Sequence, residues 1–333
     1  MILHPGILAL LLGSLIVLAM TLYAARLSLT ILRRWDFSSS SEQQLLLERK
    51  TTLISSLLQY SLGFELISIF LFLFTLEEIH PLFVGAMCAT GSLNANPVGW
   101  WILPVKIVLF FAASFWLQLN RFDLQAEDFP LVRLKSWLLL PITVLVALDF
   151  VLMLIYFLGL QPEIITSCCG ALFSSGQGVA GELATLPPQT MMIIFYTLSA
   201  LLGGSLLVSL VKKSNILRLV LAILALAYLP ISLAAVISFI SAYIYQLPSH
   251  HCPFDMLQGH YDFIGYPLYL FLFCGVLFSL QPVLIVVFRK HPQLRKAMEK
   301  REDGWLFKGI GGLAGFMLCS SWSLAFGHFV LFY

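Results

Sequence analysis

The sequence predicts an all-α integral membrane protein, a bundle of about eight transmembrane helices with both termini on the outer, periplasmic side. Three observations predict it. Hydrophobic residues make up 59% of the 333 and charged residues only 11%, where a soluble domain carries roughly 25% charged. Mean hydropathy is +0.92. Apolar runs long enough to cross a hydrocarbon core about 30 Å thick recur along the chain, separated by short polar connections. These connections are too short for an independent soluble domain, so residues 1–333 read as a single polytopic membrane domain.

The first run, 4–29, has no Lys or Arg before it and is long for a signal-peptide core, so it reads as a retained helix. A polar stretch, 33–50, comes next. The later spans read as 51–79, 97–120, 134–160, 191–211, 216–247, 263–288 and 309–331. Pro104, Pro141, Pro230 and Pro267 are expected to kink helices or lie near their ends. Gly203-Gly204 and the glycines from Gly309 to Gly315 have the small-residue spacing of close helix packing.

Topology follows from the basic residues. Arg26, Arg33, Arg34, Arg49 and Lys50 flank the first connection, and Arg121, Arg133 and Lys135 the third. Lys212, Lys213 and Arg218 mark the fifth; Arg289, Lys290, Arg295, Lys296, Lys300, Arg301 and Lys308 mark the seventh. Every basic residue except Lys106 thus belongs to an odd-numbered connection, which the positive-inside rule makes cytoplasmic. A plasma membrane of the bacterial inner-membrane type is the expected location, with the lipid bilayer and other membrane or periplasmic subunits as partners. A net charge of +2 with no basic soluble domain excludes nucleic-acid binding. No phosphate-binding loop, nucleophile elbow or His-Glu-x-x-His motif is present.

The even-numbered connections, 80–97, 161–190 and 248–262, form an outer cap rich in sulfur and imidazole. Cys88, Cys168, Cys169 and Cys252 fall there, as do His80, His250, His251 and His260. Three chemistries compete. In an oxidising compartment the four thiols form structural disulfides, with three pairings open. Alternatively the thiols exchange, Cys252 being the attacking group beside His250 and His251. Thirdly, His250, His251, Cys252, Met256 and His260 lie within eleven residues and suit copper or zinc, while His4 and His328 are the available axial pair for a haem. Cys274 and Cys319, near midplane on the last two spans, read as packing residues or an inner relay.

The segment His251-Cys252-Pro253-Phe254-Asp255 resembles the Cys-Pro-aromatic-Cys segment of bacterial vitamin K epoxide reductase relatives. That resemblance implies thiol–disulfide exchange in a helical membrane protein. Asp255 stands where the family's second cysteine would be, so a resolving thiol has to come from another loop. Relays of buried cysteines are similar in use to those of membrane thiol carriers.

Glu65, Lys106 and Asp149 are ionisable residues inside spans. Counting from Lys50, Pro97 and Lys135 puts them roughly 22, 13 and 21 Å along their helices, at comparable depth. Lys106 is therefore expected between the two carboxylates, as a structural ion pair or as a proton or quinol site. Taken together, the sequence points to a redox-linked membrane subunit that handles electrons, thiols, a soft metal or haem at the outer face. The alternative is a transporter or structural subunit whose outer cysteines are staples.

Overall fold

The computed structural model describes residues 3–36, 41–125, 129–161, 165–166, 187–327 and 329. These residues are almost entirely helical; their only β pairing is a lone bridge between Val84 and Ile165. Eight helical stretches are long and apolar enough to cross a membrane, as the hydropathy pattern predicts. The chain divides into two compact units, residues 1–84 with 92–165, and residues 85–91 with 166–333.

In the first unit the long helices are α1 (Pro5–Arg34), α2 (Glu42–Ile79), α3 (Gly99–Asp123) and α4 (Val132–Leu158). Each packs on two others, α1 on α2 and α4, and α3 on the same two, which closes a four-helix ring. Its core is aliphatic, with Val17, Leu58, Leu62, Leu109, Trp116, Leu139 and Val146 all buried. Large apolar side chains such as Ile16, Leu53, Ile67 and Val144 point outward instead, as expected of helices solvated by lipid.

The second unit contains α5 (Pro188–Val211), α6 (Asn215–Ala235), α7 (Gly265–Leu280) and α8 (Pro292–Phe326). The ring order is the same: α5 on α6, α6 on α7, α7 on α8, and α8 on α5. The closest crossing is α7 with α8. There a Cβ on Gly312 would lie 2.4 Å from the Gly275 nitrogen, so the glycines near 309–315 serve backbone-to-backbone packing.

Two helices start well before the sequence expectation. Residues 42–50 belong to α2 rather than to a connection, because the Ser41 side chain caps the helix by accepting from the Gln44 N–H at 3.4 Å. The basic segment 292–308 is the first half of α8. Pro292 suits the first helical position, and no second proline interrupts the helix. At 35 residues α8 is about 52 Å long, far more than a hydrocarbon core requires. Two residues assigned to connections are also buried in ion pairs. Lys135 meets Asp123 at 2.7 Å and bonds Asn120 and Ser55. Arg218 makes a two-pronged contact with Glu302, at 2.7 and 2.8 Å.

Candidate functional site

Part of the sulfur and imidazole chemistry of the even-numbered connections comes together in the second unit. After Ala235 the backbone widens into one π turn, Val236–Ile240, and α-helix resumes over Ser241–Tyr245. Such widening leaves carbonyls for other donors, and His251 Nδ1 contacts the Ile237 carbonyl at 3.0 Å. Gln246, in left-handed backbone, ends the helix.

The loop after it is held by two buried tyrosines. Tyr245 donates to the Cys252 carbonyl at 2.7 Å and accepts from the Met256 N–H at 2.9 Å. Tyr269 on α7 donates to the Pro253 carbonyl at 2.6 Å. Gly265 lets the loop lie flat on α7, since a Cβ there would stand 2.7 Å from Met256 Cγ. Residues 85–91 join from far back in the sequence: Gln258 Nε2 donates to the Met87 carbonyl at 2.7 Å.

This scaffold brings two buried sulfurs together. Cys88 Sγ is 3.5 Å from Cys252 Sγ, and Thr90 Oγ1 is 3.1 Å from Cys252 Sγ. A carboxylate oxygen of Asp255 completes a group whose three atoms all lie within 4.8 Å of one another. His250 Nε2 meets Asp255 Oδ2 at 2.5 Å, and Oδ1 has no nitrogen or oxygen partner among the described residues. Burial pushes the Asp255 carboxyl up, but hydrogen bonds from His250, Cys88 and Cys252 together with the His250 charge outweigh it and leave the carboxyl below its usual range. The site is thus a dithiol, an ionised carboxylate and a half-buried imidazole in series. That series can release a thiol proton toward the surface, and its sulfur and oxygen donors match a soft or borderline metal.

The other residues singled out in the sequence are distributed as follows. Met256 is fully buried, and His260 is exposed with its ring 4.3 Å from that of Tyr261. His4 accepts from the Gly6 N–H and caps α1. Cys274 and Cys319 are half-buried on α7 and α8. Cys168, Cys169 and His328 lie outside the described residues. Sequence reasoning treated Asp255 only as a missing cysteine. Its spacing three residues after Cys252, with His250 two residues before that cysteine, was the available signal. The supporting roles of Thr90, Tyr245 and Tyr269 carry no sequence signal.

A second polar group occupies the first unit. Lys106 on α3 donates to Asp149 on α4 at 3.0 Å and to Ser68 on α2 at 3.2 Å. Ser68 in turn donates to Glu65 Oε2 at 3.1 Å. Lys106 therefore does lie between the two carboxyls, contacting Asp149 directly and reaching Glu65 through a hydroxyl that the sequence reading overlooked. All three ionisable side chains are 2% exposed or less. An unpartnered charge in an apolar membrane interior costs about 2.5–3.5 kcal/mol or more, so the array needs its charge balanced.

No protein-family model, no curated protein and no solved structure matches this chain. The functional reading therefore rests on the geometry alone.

Proposed function

We propose that the chain is an integral membrane component of a thiol-redox system whose working group is the Cys88–Cys252 pair. The observation that carries the reading is the 3.5 Å approach of two buried sulfurs 164 residues apart in sequence, beside a carboxylate–imidazole pair. Oxidation joins the sulfurs, releasing two protons and two electrons. Asp255 and His250 conduct the protons outward, and the electrons pass to an acceptor of the disulfide or quinone class. Polar loops without a catalytic domain fit a subunit that serves a larger membrane assembly.

With Lys106, Lys135 and Arg218 neutralised inside the fold, the remaining basic residues still gather on the odd-numbered connections. That distribution supports a position for the Cys88–Cys252 pair at the outer face of a plasma membrane of bacterial inner-membrane type. Met87, which is 68% exposed, supplies the test. A Met87→Cys variant in intact cells should react with a membrane-impermeant maleimide, and labelling only after lysis contradicts the orientation.

The redox reading is tested by alkylation in membranes poised with reductant and then with oxidant. Cys88 and Cys252 should gain and lose alkylation together, and Cys88→Ser should leave Cys252 alkylated under both conditions. Independent titration of the two thiols contradicts the proposal.

One observation favours a second reading on the same residues. Three donor atoms within 4.8 Å fit a zinc or copper(I) centre, whose tetrahedral sulfurs would lie roughly 3.8 Å apart. Stoichiometric zinc or copper in purified protein, lost in Cys252→Ser, would select it over thiol exchange.

A further inference from the structure

The first unit holds a polar array that the thiol chemistry does not use. It runs in one line across three helices: Asp149 Oδ2, Lys106 Nζ, Ser68 Oγ, Glu65 Oε2, linked at 3.0, 3.2 and 3.1 Å. Both ends finish in a carboxyl oxygen that has no hydrogen-bond partner among the described residues, Asp149 Oδ1 and Glu65 Oε1, on side chains 1% and 2% exposed. Along the helices, Lys106 lies about 10 Å from the start of α3 and Asp149 about 14 Å from the end of α4, within the apolar depth.

Two carboxylates and one ammonium carry a surplus negative charge. The helix that completes the ring offers nothing to cancel it, since the buried face of α1 consists of Ile7, Leu10, Ser14, Val17, Thr21, Ala24, Ser28 and Ile31. On α4 the next ionisable side chain toward the chain's start is Lys135, about 21 Å away and already paired with Asp123. Toward the other end of α2, Glu77 is about 18 Å away and contacts His80. Phe72 lies beneath Lys106, its ring centroid 5.8 Å from Nζ. Among the described residues of this unit no further cation faces the array, so a bound proton or cation is the available source of balance.

We propose that Glu65, Ser68, Lys106 and Asp149 form a binding site for one exchangeable proton in the apolar core of the first unit, held on Glu65. Asp149 keeps its charge because it contacts the ammonium directly. Glu65 is one hydroxyl removed and takes the proton. A metal cation is the poorer occupant. Sodium and its relatives ask for a cage of several oxygens, and here the ammonium stands between the two carboxyls. The Ser68 hydroxyl accepts from Lys106 and shares its proton between the Glu65 carbonyl at 3.0 Å and Glu65 Oε2 at 3.1 Å; turned to Oε2, it is the element through which the proton can move along the array. This site is independent of the Cys88–Cys252 reading and survives its failure.

The test is infrared spectroscopy of the full chain in lipid, reading the carbonyl stretch of buried protonated carboxyls at neutral pH. Wild type should show the band. Glu65→Gln and Asp149→Asn should each abolish it, because one carboxylate then balances one ammonium. Lys106→Met should double it, because both carboxyls then need a proton. A fixed structural ion pair predicts no band in wild type and no such counting. Absence of the band in wild type overturns the proposal, as does a band that survives either carboxyl substitution. Loss of the band on adding sodium at constant pH also overturns it, in favour of a metal cation. The wild-type, Glu65→Gln and Asp149→Asn spectra decide the matter even if Lys106→Met does not fold.

Discussion

The pair between α6 and α8 lends itself to a quantitative perturbation. Arg218 and Glu302 are 5% and 1% exposed at their side chains and share two hydrogen bonds, with Asn215 Oδ1 taking a third from the guanidinium. Glu302→Gln keeps the shape and removes the charge that bonds the guanidinium, leaving only the more distant Glu299 carboxylate acting on it. Breaking a buried pair in this way costs about 3–5 kcal/mol. For a domain of this size each kcal/mol moves the melting temperature by about 2–4 °C, so the expected loss is about 6–20 °C. Removing both charges, Arg218→Met with Glu302→Leu, should recover the loss or exceed the parent, since well-packed apolar replacements of buried pairs are often neutral or stabilising by about 1–4 kcal/mol. Thermal unfolding of detergent-purified protein reads both variants. A single variant as stable as wild type, or a double variant no better than the single, would refute the argument that these groups are desolvated and mutually dependent.

Two further outcomes rest on particular contacts. Gly312→Ala should destabilise the second unit by about 1–3 kcal/mol, because the new methyl meets the Gly275 backbone, which cannot rotate away; Gly311→Ala, facing open space, is the thermal-unfolding control. The Asp255 carboxyl is depressed below its ordinary 3.8, so its ionised form stabilises the fold above that pH and the contribution fades as pH falls below it. Accordingly, the difference in melting temperature between wild type and Asp255→Asn should be largest near neutrality and shrink in acid; a difference that grows in acid would contradict the sign.

The sequence was most legible where one physical force dominates. Long apolar runs can be satisfied only as helices in lipid, so eight spans were readable with errors confined to their ends. Those errors share a cause: hydropathy falls at Glu42–Lys50 and at Pro292–Lys308, but the backbone signals, a serine cap and a proline at the first position, continue the helix. Lys106 and its carboxylates were readable because charge in an apolar helix demands a partner. Ser68 was not, because a hydroxyl on a helix usually bonds its own backbone. Lys135 and Arg218 looked like loop determinants because they sit at span ends, and only packing reveals their partners. The Cys88–Cys252 approach was one of several pairings left open; tertiary structure brings together residues 164 apart in sequence.

The central claim is that Cys88 and Cys252 form one redox couple. Its most direct measurement is a thiol–disulfide titration of the full chain in lipid nanodiscs, with the cross-linked Cys88–Cys252 peptide quantified by mass spectrometry against ambient potential. The account predicts that this single peptide appears and disappears reversibly along a two-electron curve. If the two cysteines stay alkylatable at every potential, or are recovered only in cross-links to other thiols, the claim is contradicted.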